Sequence, residues 1–328
     1  MDNKTAIVVL GSPRSGTSAL TRLLAAFGID LGDEMVPANP NNPRGFWEDT
    51  AIQHINTDLL KLADRHLGLP GLSRTRVDSS SEYDRLHQEA KSLLGQRFAT
   101  RELWAFKDPR MNRLLFFWQP VFAEMSCQAN YLLALRNPAA VADSLCASSG
   151  LRRLTGLALW LECTVRAVQD TLAYPNLTIS YENLLSDPRK QLQRIAAAFH
   201  LESHQMEREI QFYETHFLDR SLVHATSADD DLRHNTQDFP LVADVYELLR
   251  DQSNDVFSET DFQNKWSSLY ARYEVEFPAV LAANPWLQKQ DDISASLIQR
   301  FYKRVSFHGA GEFQRLGRRL VEKIITGI

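Results

Sequence analysis

Ile7-Val8-Val9-Leu10 runs directly into Gly11-Ser12-Pro13-Arg14-Ser15-Gly16-Thr17-Ser18 and then into a helically spaced stretch that reaches Phe27. A short run of aliphatic, largely β-branched residues suits a central parallel strand and is too short for a helix. A strand that hands its chain straight to a helix is the building unit of parallel sheets, so this segment predicts an α/β protein. Between the two elements, Gly11 and Gly16 permit positive φ and a close backbone approach to a ligand. The amides of Ser15 to Ser18 open the helix unpaired, which attracts an anion. Arg14 adds a planar cationic donor, and Ser15, Thr17 and Ser18 add hydroxyls. The alternative is an ordinary strand-to-helix turn with serine capping.

The two glycines have the spacing of the phosphate-binding pattern G-x-x-x-x-G-K-[ST], but Thr17 stands where that pattern needs lysine. The loop is therefore expected to hold a phosphate other than those of ATP or GTP. The chain has 36 basic and 41 acidic residues, a net charge of −5, which argues against a general nucleic-acid binder. Cys127, Cys146 and Cys163 show neither zinc nor disulfide spacing and read as reduced core residues. No apolar stretch approaches the roughly 20 residues of a membrane span, and the first strand starts too early to follow a signal peptide, so the expected setting is cytoplasmic.

Further along, the order of strand and helix patterns repeats without internal sequence repeats. Strands are predicted at Leu103 to Lys107, Asn130 to Leu135 and Leu177 to Ser180. Helices are predicted at Asp49 to Leu67, Ser81 to Phe98, Leu114 to Met125, from Pro138 with Asn137 as cap, Leu154 to Ala173, and Leu241 to Arg250. The expected architecture is a three-layer fold with a central parallel sheet of about four to five strands flanked by helices, plus a helical C-terminal extension. Residues 1–254 are assigned to the main domain and 255–328 to the extension, packed on it.

Open sheets of this kind bind ligands beyond the carboxyl ends of their strands, so charged strand ends mark the site. Lys107, in Phe106-Lys107-Asp108-Pro109-Arg110, ends the second strand. Arg136 ends the third, and Ser144 lies about two turns into the next helix, a compact site for a second phosphate, separate from the first. In isolation, Arg136 reads equally well as a surface ion-pair partner.

With these two motifs the chain resembles sulfotransferases that use 3′-phosphoadenosine 5′-phosphosulfate, of the bacterial, carbohydrate-type branch, over roughly Thr5 to Arg250. The resemblance implies that Pro13, Arg14, Ser15, Gly16, Thr17 and Ser18 grip the 5′-phosphosulfate, and that Arg136 and Ser144 grip the 3′-phosphate. Ser180-Tyr181-Glu182 resembles a further family element and makes Tyr181 either a nucleotide contact or a structural tyrosine. Relatives acting on phenols and steroids continue the loop into a tryptophan, where this chain has Ala19, and place a histidine where it has Pro109. Carbohydrate and tyrosyl-protein sulfotransferases share the K-D-P turn and take their base from a glutamate after the loop, a placement that Glu48 matches.

Sulfuryl transfer builds negative charge on the bridging oxygen, a demand met by Lys107 and Arg14, while a base removes the acceptor proton. Glu48 is the chosen base, with Asp108 and His54 in reserve; its alternative role is to complement the helix dipole of the segment that follows. The reading requires no metal. It expects 3′-phosphoadenosine 5′-phosphosulfate as donor, adenosine 3′,5′-bisphosphate as product and a hydroxyl-bearing small molecule or glycan as acceptor. A kinase with a degenerate loop and a nonenzymatic nucleotide-binding protein stay open as alternatives.

Phe46, Trp47, Trp104 and Trp118 are either stacking faces for a sugar or core residues. Pro37 to Arg44 and His224 to Phe239 are candidate rims, with Arg233 and His234 as a basic cover for the 3′-phosphate. From Ser296 to Ile328 the chain is basic, with Phe313, Leu316, Leu320 and Ile324 at helical spacing. That stripe either packs on the main domain or touches an anionic membrane or a glycan-assembly partner.

Overall fold

The computed structural model describes residues 4–38, 45–63, 70–72, 80–202, 206–217 and 231–288. Strands β1 (Thr5–Leu10), β2 (Leu103–Lys107), β3 (Gln128–Leu135) and β4 (Asn176–Ser180) form a parallel sheet in the order β2-β1-β3-β4. This is the α/β architecture expected from the strand–helix alternation. The chain leaves β1 for one neighbour and later returns to its other side, so the strand order reverses at β1. Such a reversal opens a crevice beyond the carboxyl ends of the strands.

Period-two alternation along β1 feeds two separate cores. Ala6, Val8 and Leu10 face one layer, together with Trp104, Phe106 and Trp118, whereas Ile7 and Val9 face the other, with Leu20, Leu23, Ile179 and Leu192. The first layer is built from α2 (Thr50–Leu62), α3 (Ser81–Arg97), α4 (Met111–Glu124), α5 (Pro138–Ser149) and α6 (Arg153–Thr171). The second carries α1 (Thr17–Leu24), α8 (Pro188–Phe199) and α9 (Met206–Phe212), with the short α7 (Tyr181–Ser186) leading in from β4.

Several expected boundaries move. The first helix gives way to a 3₁₀ turn at Ala25–Phe27, and α4 begins at Met111 because the Asp108 carbonyl accepts the Met111 N–H at 3.0 Å. The helix after Asp49 ends at Leu62, and residues 64–67 of the expected stretch lie outside the described residues. The cap at Asn137 forms as expected, its side chain accepting the N–H groups of Ala139 and Ala140 at 2.9 and 3.3 Å.

After α10 (Leu232–Asn235) and α11 (Pro240–Ser253), the long α12 (Glu259–Ala283) buries Phe262, Trp266, Tyr273, Phe277 and Leu281 in the first core. The Trp266 indole donates to Gln169 at 2.9 Å, and one compact unit extends to Gln288. No helix among the described residues is long and apolar enough to cross a membrane. The basic stretch 296–328 and the acidic residues 227–230 lie outside the described residues.

Candidate active site

The loop after β1 has the strained backbone of a ligand cradle. Gly11 and Gly16 have φ of 145° and 88°, and Arg14 between them adopts a left-handed φ of 72°. No side chain caps the N-terminus of α1, and the buried Ser15 hydroxyl has no hydrogen-bond partner. An uncapped helix start and an orphaned donor in one loop match the needs of an oxyanion. Pro13 lies at the turn, and the Thr17 methyl packs where a Cβ on Gly11 would fall, 2.8 Å away. Ser18, expected on the ligand, donates instead to the Phe46 carbonyl at 3.1 Å.

Across the reversal point, Arg14 Nε donates to Ser144 Oγ at 3.0 Å and Arg136 donates to the Arg14 carbonyl at 3.0 Å. The Arg136 guanidinium lies 4.6 Å above the Tyr181 ring, which itself abuts Gly16. The two groups of residues expected to form separate phosphate sites are therefore linked by direct hydrogen bonds. β1 and β3 are neighbours, about 4.8 Å apart in any sheet, so their exit loops converge. Burial and then the nearby Arg136 push the Arg14 pKa down, with Tyr181 opposing. Among the described residues no carboxylate forms an ion pair with Arg14 or Arg136. Two close guanidinium groups without a counter-charge favour a ligand with more than one negative charge.

One strand over, Lys107 ends β2 opposite Val9. Its Nζ lies 2.7 Å from Glu48 Oε1, and the two residues are only 3% and 5% exposed. Glu48 reaches this point on an irregular segment in which Trp47 takes a left-handed φ of 55°. The strap is pinned on both sides. Val36 N–H donates to the Glu48 carbonyl at 2.8 Å, while the buried Asp49 caps α2 and pairs with Arg97 at 2.7 Å. Arg97 also binds Asp33, anchoring the stretch before the strap to the end of α3. The Arg22 guanidinium lies 5.6 Å from the centre of the Trp47 ring.

The reserve bases take other places. Asp108 is fully buried and bonded to the backbone and guanidinium of Arg110, each at 2.7 Å. Burial raises its pKa, with the Glu48 charge adding and Arg110 opposing. His54 is exposed on α2. Trp104 and Trp118 are enclosed in the core, where Trp118 donates to Asn56 at 2.7 Å; Phe46 and Trp47 keep exposed faces. Arg233 is engaged with Asp244 and Glu247 of α11.

Two side chains escaped the sequence reading. Gln53 donates to Glu48 Oε2 at 3.3 Å. Asn112, fully buried at the start of α4, accepts the Gly11 N–H at 2.6 Å and donates to the carbonyls of Gly11 and Pro109, both at 2.8 Å. One carboxamide thus ties the loop after β1 to the turn that follows Lys107. The available signal was a carboxamide and an arginine, Asn112 and Arg113, opening the otherwise apolar Met111 to Trp118 run. Asn112→Ala leaves the peptide groups of Gly11 unpaired and is expected to cost about 3 kcal/mol, with weakened anion binding. Denaturant midpoints and ligand titrations check this, and an unchanged midpoint would contradict it.

The sequence model of the sulfotransferase family matches residues 6–205. A comparison with curated proteins gives no match. Among solved structures, the chain is similar to the sulfotransferase domain of the Synechococcus PCC 7002 olefin synthase: 18% identity, TM-score 0.41, covering 84% of this chain and 96% of that one. It is also similar to the sulfotransferase domain of the curacin biosynthetic pathway (14%, 0.39, covering 84% and 98%). A third likeness is a sulfotransferase of Mycobacterium tuberculosis H37Rv (18%, 0.37, covering 71% and 76%). On the match over residues 6–205, which is more than half of its length, the chain belongs to the sulfotransferase family.

Proposed function

We propose that this protein transfers a sulfuryl group from 3′-phosphoadenosine 5′-phosphosulfate to a hydroxyl of a carbohydrate, glycolipid or related metabolite. The observation that carries the reading is the pairing of two features on adjacent strands. Arg14, Ser144 and Arg136 form one continuous anion cluster, and the buried Lys107–Glu48 pair lies one strand away. A ribose bearing both 3′ and 5′ phosphates presents its charges close together, which suits a joined cluster better than two remote ones.

The donor supplies an activated sulfur–oxygen bond. The acceptor oxygen forms a bond to sulfur as the bond from sulfur to the bridging oxygen breaks, and that electron pair stays on the departing adenosine 3′,5′-bisphosphate. Glu48 takes the hydroxyl proton. Once neutral, it releases Lys107 from their ion pair, leaving the ammonium group for the oxygen on which charge accumulates. Positioned donors of this kind contribute on the order of 3 kcal/mol each, and the base about 100-fold to 10,000-fold. Phe46 and Trp47, beside Glu48, line the acceptor side.

Adenosine 3′,5′-bisphosphate at a hundredfold excess over its Kd is expected to stabilise the protein by about 2.7 kcal/mol without Mg²⁺, raising the melting temperature by several degrees. Mg-ATP is expected to leave it unchanged. The reverse pattern would reject the reading in favour of a phosphotransferase. Labelled donor offered with glycans, lipids and small alcohols then identifies the acceptor class.

A further inference from the structure

Glu48 is constrained at three points. Its carbonyl accepts the Val36 N–H at 2.8 Å, Oε1 meets Lys107 at 2.7 Å, and Oε2 accepts from Gln53 Nε2 at 3.3 Å. The first two leave a degree of freedom. The terminal torsion of glutamate is broad and nearly two-fold, so an ammonium group alone does not distinguish one carboxylate oxygen from the other. Among the described residues, only the contact from Gln53 breaks that equivalence.

Gln53 is well placed to do so because its own backbone is fixed. Its N–H donates to the Asp49 carbonyl at 3.0 Å and its carbonyl accepts the Thr57 hydroxyl at 2.7 Å. Asp49 in turn is held by Arg97, so the first turn of α2 is anchored to the end of α3. The side chain is half-buried, whereas His54, the next residue round the helix, is exposed.

We propose that Gln53 is a positioning residue for the base: its carboxamide fixes the plane of the Glu48 carboxylate, so that Oε1 stays with Lys107 and the remaining lone pair of Oε2 faces the acceptor hydroxyl. This role rests on the reading of Glu48 as the base. Gln53 touches neither the anion cluster nor Lys107 in the described contacts, so its removal acts on the rate and not on donor binding.

The test compares the full-length wild type with Gln53→Leu, which keeps bulk but has no donor, and Gln53→His, which keeps a ring N–H. Gln53→Leu is expected to lower kcat on the order of 10-fold to 100-fold, the cost of a misplaced reacting group. Donor KM and the thermal shift with adenosine 3′,5′-bisphosphate stay at wild-type values, and Gln53→His recovers part of the rate. Wild-type kcat in Gln53→Leu would overturn the role, as would a loss of kcat matched by an equal loss of the thermal shift. A wild-type protein that neither binds the bisphosphate nor transfers sulfuryl groups would overturn the functional reading itself, and this role with it.

Discussion

Replacing Lys107 by alanine is expected to lower the transfer rate about 100-fold to 1,000-fold and to destabilise the fold by about 3 kcal/mol. Both effects follow from one contact. Lys107 and Glu48 are almost entirely enclosed and lie 2.7 Å apart, so removing the ammonium strands a carboxylate in a poorly solvated site. Breaking a buried pair from one side costs far more than replacing both partners. The double variant Lys107→Met with Glu48→Leu should therefore recover much of the lost stability while remaining inactive. Glu48→Gln, whose amide oxygen can still accept from Lys107 but leaves the ammonium without its counter-charge, should lose part of the pair's stability and about 100-fold to 10,000-fold in rate, since the amide has no basic lone pair for the acceptor proton. Urea denaturation and single-turnover transfer on the four proteins separate the stability effect from the chemical one. Wild-type turnover in Glu48→Gln would remove Glu48 from the mechanism.

Gly16→Ala is expected to abolish binding of the donor at concentrations that saturate the wild type. A Cβ there would lie 2.3 Å from Tyr181 Cδ2 and 2.9 Å from Cε2, and the residue's φ of 88° already disfavours any side chain. The backbone part of the cost is about 1–2 kcal/mol. The clash is the larger part, because Tyr181 can relieve it only by leaving the face of Arg136, 4.6 Å away. Gly28→Ala is the matching control: its φ of 69° carries a similar backbone penalty, but a Cβ there has nothing within 4 Å. Calorimetric titration with adenosine 3′,5′-bisphosphate should show binding lost in Gly16→Ala and retained in Gly28→Ala. Equal affinity in the two variants would mean that Tyr181 and the loop do not move together.

The elements carrying the anion cluster were legible because their signals are local. Ile7 to Leu10 reads as a strand from its own composition, the two glycines mark the turn, and Asn137-Pro138 announces a helix start that forms with the expected cap. Lys107 and Arg136 were found by looking at strand ends. Glu48 was harder, since nothing in Phe46-Trp47-Glu48 alone distinguishes a base from an acidic residue at a helix start; a family resemblance placed it in the sequence. Gln53 and Asn112 were not found, because a carboxamide is chosen by the partner it meets in space. For Asn112 that partner is Gly11, about a hundred residues away in the chain.

Trp104 and Trp118 illustrate the same limit from the apolar side. Their sequence neighbours allow either a sugar-stacking face or a core, and only the enclosure by α2, α3 and α4 decides for the core. Phe46 and Trp47 keep exposed faces because the strap carrying them runs along the rim of the site.

By itself, the sequence determined the α/β alternation, the glycine-bounded loop after the first strand with threonine in place of lysine, and the charged residues at the ends of the second and third strands. The tertiary structure decided that Arg14, Ser144 and Arg136 make one cluster, that Lys107 faces Glu48, and that Ser18 is spent on the Phe46 carbonyl. The physical reason is the range of the forces involved. Periodicity, turns and caps depend on residues a few positions apart, whereas charge pairing depends on which strands become neighbours. That order, β2-β1-β3-β4, sets β1 between β2 and β3 and so brings their carboxyl ends together.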